Sequence, residues 1–352
     1  MSVTSDRVGR TRSLAILMEY YWIYLSKITT AVQSQLGDRG MDTLFEGVYR
    51  YGHFRGERMR NSARVCAEGR DAMSIFRAWD AADLILASSG DRLEVEGSPK
   101  LSHVQLTAIP GMEYVPLQSS PELIDRYWET VLRGIAKGFD EDHLAVTMTG
   151  ERIECRFSGD SSGHAIAVPD DFLDDRAQSI GLSRSTLGDF AALAMYTGQA
   201  LLDQYDATGE KVLREALYAF GLERAHAMRD AVLAENKPLN FETWFEAIQK
   251  RDPNASAFVF RGDYIVTPGV FQVRCTYCPC AETWTTEGRK GLDFGQIYDL
   301  EVHRGLVEGF HPDGIVAWET LKTRGDNVCN FRFYIPQLVS STDPQWAQDK
   351  CL

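Results

Sequence analysis

The chain has few cysteines and lacks the runs that mark export, nucleic-acid binding or membrane spanning. Seven of its 352 residues are Cys, and four of these, Cys66, Cys155, Cys329 and Cys351, are scattered. An odd, dispersed set at this length is not the framework of a disulfide-stapled secreted domain, which points to a reducing, cytoplasmic setting. No run of Lys and Arg is present, the net charge is −13 and the pI is near 5.1. Nothing would release counterions from a phosphate backbone, so nucleic acid and anionic membranes are excluded as partners. No segment reaches the roughly 20 consecutive apolar residues of a spanning helix. The basic, then apolar start RVGRTRSLAILMEYYWIYLSK imitates a signal peptide, but Glu19 interrupts it and no small-residue cleavage site follows. Its cluster Tyr20, Tyr21, Trp22 and Tyr24 reads as part of an amphipathic core helix. What remains is a 44% hydrophobic chain, long enough for one large core or two ordinary ones. Its expected partner is a small-molecule substrate, with a homodimer left open.

The chain reads as if written twice. Shifted by 169 residues, GMDTLFEGVYRYGHFRGERMR (Gly40 to Arg60) lies over GEKVLREALYAFGLERAHAMR (Gly209 to Arg229). The coincidences are Gly40/Gly209, Leu44/Leu213, Glu46/Glu215, Tyr49/Tyr218, Gly52/Gly221, Arg55/Arg224, Met59/Met228 and Arg60/Arg229. At the same offset VQLTAIP (Val104 to Pro110) lies over VRCTYCP (Val273 to Pro279). At 171, YWETVLRGIAKGF (Tyr127 to Phe139) lies over YDLEVHRGLVEGF (Tyr298 to Phe310), and the strand residues Cys155 and Phe157 lie over Cys329 and Phe331. Four blocks in one order predict two tandem homologous modules, residues 12–158 and 181–334, with a linker at 159–180 and a C-terminal tail at 335–352 whose end is mobile. In each, helical periodicity (14–35, 42–66 and 71–86 in the first) precedes strand-like runs, clearest as SAFVFRG, YIVTPGVFQVRCT, GIVAWETLKT and NVCNFRFY in the second. The expected fold class is α+β, N-terminal helices followed by a mostly antiparallel sheet in each module. Self-association of an ancestral single module would leave the two halves about a pseudo-twofold axis.

A duplicated module is a built-in comparison. Cys275 faces Leu106, Cys278 faces Ile109, Glu301 faces Thr130 and His303 faces Leu132, so the chemistry is expected in the second module and the first is expected to be structural. VRCTYCPCAETW places Cys275, Cys278 and Cys280 within six residues. A thiol-bearing active site around Cys278 is one reading. A zinc site of Cys275, Cys278, Cys280 and His303 or Cys329 is the rival, weakened by the lack of a second Cys-x-x-Cys pair. A dithiol redox pair and inert buried thiols are the others. No cofactor is expected under the first reading and zinc under the second. Arg224 and Arg229 can clamp a substrate carboxylate, but they recur as Arg55 and Arg60 and so can equally be module arginines paired with a carboxylate. Cys329 shares a strand face with Phe331 and Phe333 and has Cys155 as its counterpart, so packing is as good a reading as catalysis. Asp326 follows a Gly and can simply form a turn. His226, opposite Glu57, reads as a surface residue, and Cys66 and Cys351 as inert.

The run CPCAETW, a helix ending EGFHPD and then RGDNVCNFRF resemble, over residues 210–334, the L-2-amino-thiazoline-4-carboxylic acid hydrolase family. The resemblance points to Cys278, Pro279, Gly309, Phe310, Pro312, Gly325, Asp326, Cys329 and Phe331; Trp284, within CPCAETW, is a further candidate substrate contact. Where the family has Cys-Glu-x-Asp before Gly-Phe, this chain has Leu300, Glu301, Val302 and His303. It implies hydrolytic opening of a thiazoline-like ring by thiolate or activated water, with Cys278, Glu301, His303, Cys329 and Asp326 as catalytic candidates. Positions 301 and 303 are about 200° apart on a helix, so both are not expected to line one pocket.

Overall fold

The structure, a computed structural model, describes residues 3–65, 93–98, 101–106, 121–139, 153–158, 180–251, 259–260 and 264–351. Helix α1 (Val3–Val65) is two helices joined at Gly37, whose φ of 62° suits glycine. Strands β1 (Leu93–Ser98), β2 (Leu101–Leu106) and β3 (Ile153–Ser158) form an antiparallel sheet in that order, with α2 (Pro121–Phe139) between β2 and β3 in sequence. Helix α3 (Ile180–Ala234) breaks at Asp206, φ 46°, and is followed by α4 (Phe241–Arg251). Strands β4 (Val259–Phe260), β5 (Ile265–Val266) and β6 (Val270–Tyr277) come next, then α5 (Pro279–Thr286) and α6 (Gly288–Phe310). Strands β7 (Ile315–Thr320) and β8 (Cys329–Tyr334) and the short α7 (Gln345–Gln348) close the chain. The second sheet is antiparallel, ordered β4-β6-β8-β7, with β5 also on β6. The fold is therefore α+β, mostly helical with small antiparallel sheets. The expected helix at 71–86, the linker, Cys66 and Ile109 lie outside the described residues.

Two compact units partition the chain, and neither is a continuous segment. The first is Met1–Trp22 with Asp38–Ala200; the second is Ile23–Gly37 with Leu201–Leu352. In the first unit Tyr21 donates to the Thr186 carbonyl at 3.0 Å, its ring meets Phe190 at 5.3 Å, and Trp22 meets Tyr127. In the second, Tyr24 meets Phe220 edge-on, Lys27 pairs with Glu223 at 3.2 Å and Gln35 bonds Glu215. The N-terminal aromatic cluster is core, as its spacing predicts: Tyr21, Trp22 and Tyr24 are buried.

Each unit is organised by a helix crossing at contact distance. A Cβ on Gly52 of α1 would strike the Val131 carbonyl of α2, and one on Gly134 would strike the Tyr49 carbonyl. In the second unit a Cβ on Gly221 of α3 would strike the Val302 carbonyl of α6, and one on Gly305 that of Tyr218. Arg55 lies over the Tyr51 ring at 5.7 Å and Arg224 over Phe220 at 5.3 Å, each one turn after its ring. The sheets differ in register: Val104 opposes Cys155, whereas Cys275 opposes Cys329 and Val273 opposes Phe331. That two-residue slip leaves facing unchanged, because strand side chains alternate with period two.

The core of the second unit is aromatic. Strand alternation puts Phe271, Val273 and Cys275 of β6 beside Phe333, Phe331 and Cys329 of β8 on one face. Trp244 of α4 contacts Phe271 and Phe333 at 5.4 Å each and Phe310 of α6 at 6.0 Å. The tail docks on the other face. Ala347 is buried with Val270 and Tyr334, Trp346 donates to Gln272 at 2.9 Å, and Arg332 stacks on Trp346 at 5.0 Å.

Gly221→Ala should lower stability by about 1–3 kcal/mol, because overpacking a backbone contact outweighs the ~1 kcal/mol that alanine adds to a helix. Thermal unfolding measures it. A Tm equal to or above that of the parent chain would show that α3 and α6 do not meet at Gly221.

Candidate active site

Strand β6 delivers Cys278 to the start of α5. The residue is extended, φ −125° and ψ 114°, Pro279 occupies the first helical position, and Sγ accepts from Ala281 N at 3.5 Å. Proline there costs no hydrogen bond, and a thiol capping a helix N-terminus lies where the helix dipole favours its anion. The surroundings act the other way: a hydrogen bond with the Cys280 thiol and then burial hold Cys278 well above the ordinary thiol range. Two more thiols lie beneath it. Cys275 and Cys329 face each other across β6 and β8, forming with Leu321 an apolar cluster against which Cys278, Trp318 and Phe331 pack. Cys275 donates to the Tyr277 carbonyl at 3.1 Å and burial pushes it up; Cys329 accepts from Lys322 N at 3.3 Å and burial pushes it up to about 12. Lys322 spans the edge of the cluster, its Nζ on the Thr276 carbonyl at 3.3 Å and on Glu282 at 2.5 Å.

Helix α6 adds a buried carboxyl. Asp299 is 7% exposed and its Oδ2 accepts from Thr323 Oγ1 at 3.0 Å. Burial raises it to about 7, against the opposing pull of the Thr323 bond and of Arg324. Its charge acts on both Cys278 and Cys329, which places it in the thiol cluster's field. One turn on, His303 Nδ1 lies 2.8 Å from the Asp299 carbonyl, the distance of an Nδ1–H donor. The His303 ring meets Phe331 at 4.8 Å and Trp318 at 5.1 Å. Burial lowers it to about 4, so it is neutral at physiological pH.

The other candidates are placed apart from this group. Glu301 points away from His303, as the helix period requires, to Arg214 at 2.9 Å and Arg304 at 3.1 Å. It lines an open cleft of about 470 Å³ with Arg214, Tyr218 and Arg304. Asp326 closes a loop: Oδ2 accepts from Leu321 N at 2.8 Å, and Gly325 beside it takes a φ of 95°. That loop carries Lys322 and Thr323 into the cluster, so Asp326 acts on the site through them. Trp284 is buried against Phe294 and Tyr298, in space that Gly295 leaves open. Arg224 lies over Phe220, and its charge acts on Tyr298 and His303. Arg229 acts on His311. His226 is exposed, as expected. Among the described residues no three His, Cys, Asp or Glu side chains are grouped to hold a metal ion; the candidate set Cys275, Cys278, Cys280 and His303 is not such a group.

Asp299, Thr323 and Lys322 were not singled out from sequence. The signal for Asp299 was present: at the 171-residue offset it faces Trp128, which is buried in the first unit.

Asp299 and His303 make opposite contributions to stability. Between pH 4 and 6.5 the folded chain holds Asp299 protonated and His303 neutral, while the unfolded chain charges both. The carboxyl makes stability fall as pH rises and the imidazole makes it rise, each by about 1.4 kcal/mol per pH unit, and the two cancel. Asp299→Asn should leave stability rising from pH 4 to 6.5, and His303→Leu should leave it falling from pH 4 to 7. Guanidinium unfolding at pH 4.5 and 6 measures both slopes; wild-type slopes in both variants would show that neither group is buried in its neutral form.

No curated protein and no solved structure matches the chain. Residues 190–333, which take in Cys278, Asp299, His303, Thr323 and Cys329, match the family model of L-2-amino-thiazoline-4-carboxylic acid hydrolase.

Proposed function

We propose that the protein is a cytoplasmic hydrolase that opens a small cyclic amidine or thiazoline-like ring at its C–S or C–N bond, with Cys278 as the attacking thiol. The observation that carries this reading is the convergence, inside the family-matched segment, of a helix-capping thiol with two further thiols and a buried carboxyl. The substrate carbon lies between nitrogen and sulfur and is electrophilic, and a soft sulfur nucleophile suits it.

The chain is also read here as two tandem modules with the chemistry in the second. The breaks at Gly37 and Asp206 are 169 residues apart, the offset at which the sequence repeats. The contacts of Gly52 with Val131 and of Gly221 with Val302 fall on positions matched at offsets of 169 and 171, as do the arginine–aromatic stacks. Trp128 and Leu132, matched in sequence to Asp299 and His303, are both buried, which supports reading the first module as one closed by apolar side chains. The expected pseudo-twofold axis and the homodimer remain part of this proposal.

Ring opening of L-2-amino-thiazoline-4-carboxylate at the C–S bond frees a thiol, which a chromogenic thiol reagent detects after the protein is removed. Cys278→Ser should reduce the rate at least about a hundredfold while unfolding as the parent does. A rate within tenfold of the parent would mean that water, not the thiol, attacks. In the first module, Cys155→Ser should leave the rate unchanged within about twofold; a large loss there would place the chemistry in both modules.

A further inference from the structure

Strand pairing sets two thiols face to face. Cys275 of β6 lies directly opposite Cys329 of β8, and both are buried in one cluster with Leu321. Opposed residues on antiparallel strands have Cα atoms about 4.5–5.5 Å apart, inside the roughly 4.4–6.8 Å that a disulfide spans, so the two backbones already stand at disulfide distance. Cys278, half-buried at the start of α5, packs against the same cluster. The first sheet has no facing thiols: Cys155 of β3 lies opposite Val104, and Leu106, matched in sequence to Cys275, lies opposite Ile153. An antiparallel sheet of this pattern is therefore built without the pair, which occurs where Cys278 is.

We propose that Cys275 and Cys329 are a reversible disulfide pair that takes oxidation off Cys278, the oxidant being a peroxide. The facing thiols are 1% and 2% exposed, whereas Cys278 is half-buried, so a peroxide meets Cys278 first. The Cys278 sulfur bonds to one oxygen of hydrogen peroxide and the O–O bond breaks. The thiol proton leaves with the other oxygen as water, and Cys278 is oxidised to a sulfenic acid. The Cys275 sulfur then attacks the Cys278 sulfur, and the Cys275 proton leaves with the hydroxyl as a second water. In the last step the Cys329 sulfur attacks the Cys275 sulfur, and Cys278 departs with the Cys329 proton. Two thiols and one peroxide have become one disulfide and two waters, and Cys278 is a thiol again. A small-molecule thiol reverses the bond by the same exchange. Burial keeps Cys275 and Cys329 protonated, so the pair is inert until a neighbouring sulfur has been oxidised. Cys280, hydrogen-bonded to Cys278, is the rival partner. A disulfide between those two closes a small ring over Pro279, whose φ is fixed, and a strained bond of that kind is the more readily reopened.

The test needs no substrate, so it stands or falls apart from the hydrolase reading. The full-length chain is treated with hydrogen peroxide, free thiols are blocked with N-ethylmaleimide in denaturant, and the peptides are mapped by mass spectrometry. The expected product links the Cys275 and Cys329 peptides, leaves Cys278 carrying the maleimide, and returns to free thiols in dithiothreitol. A stable Cys278–Cys280 link, or Cys278 oxidised to sulfinic acid while Cys275 and Cys329 are still thiols, would overturn the proposal. Cys155, which faces a valine, should stay unlinked; its appearance in a disulfide would mean that the bonds form in unfolded chains and would also overturn it. Cys278→Ser, which keeps a side chain able to cap α5, should slow formation of the Cys275–Cys329 link at least about tenfold, because the oxidant loses its point of entry. An unchanged rate in that variant would show that the pair does not draw its oxidation from Cys278.

Discussion

The second unit depends on one close approach, the glycine contact between α3 and α6. Because Gly221 and Gly305 have no side chains, the two backbones meet, and α6 is fixed in height and rotation relative to the rest of the unit. Rotation decides what each of its side chains meets. Asp299 turns to Thr323, His303, four residues on, turns to the aromatic face of the sheet, and Glu301 between them turns to Arg214 and Arg304. A bulkier crossing would displace all three, and the Asp299 carboxyl would lose its burial or its bond with Thr323.

Electrostatically the site is built from groups kept neutral. Thiols, carboxyl and imidazole are each pushed by burial toward their uncharged forms, and helix dipole, Thr323 and Lys322 oppose this only in part. In such a site charge develops only as bonds change. In a low-dielectric environment that charge is costly unless it is passed on quickly.

Much of the secondary structure was legible because it rests on local rules. The break after residue 35 and the strands within YIVTPGVFQVRCT, GIVAWETLKT and NVCNFRFY follow from periodicity and strand-forming residues. The separation of Glu301 from His303 followed from helix geometry alone. What was not legible depends on tertiary partners. The residue that holds Glu301, Arg214, lies 87 positions away, and nothing local marks it. Asp299 was passed over because a carboxylate on a helix is ordinarily solvated, and only its burial makes it unusual. Asp326 was weighed as a catalytic group because of its place in a resemblance, whereas its neighbour in a turn gave the simpler account.

The exchange of segments between the compact units bears on how the protein is made. The first unit includes residues up to Ala200, so it cannot close while only the first 158 residues have left the ribosome. Residues 23–37 emerge early and belong with a unit whose other part begins at Leu201. Their apolar side chains, Tyr24, Leu25, Ile28 and Val32, all buried in the finished fold, must wait for more than half of the chain to be synthesised. Translation at about 5–20 residues per second makes that an interval of tens of seconds, during which this helix is a surface that chaperones can hold.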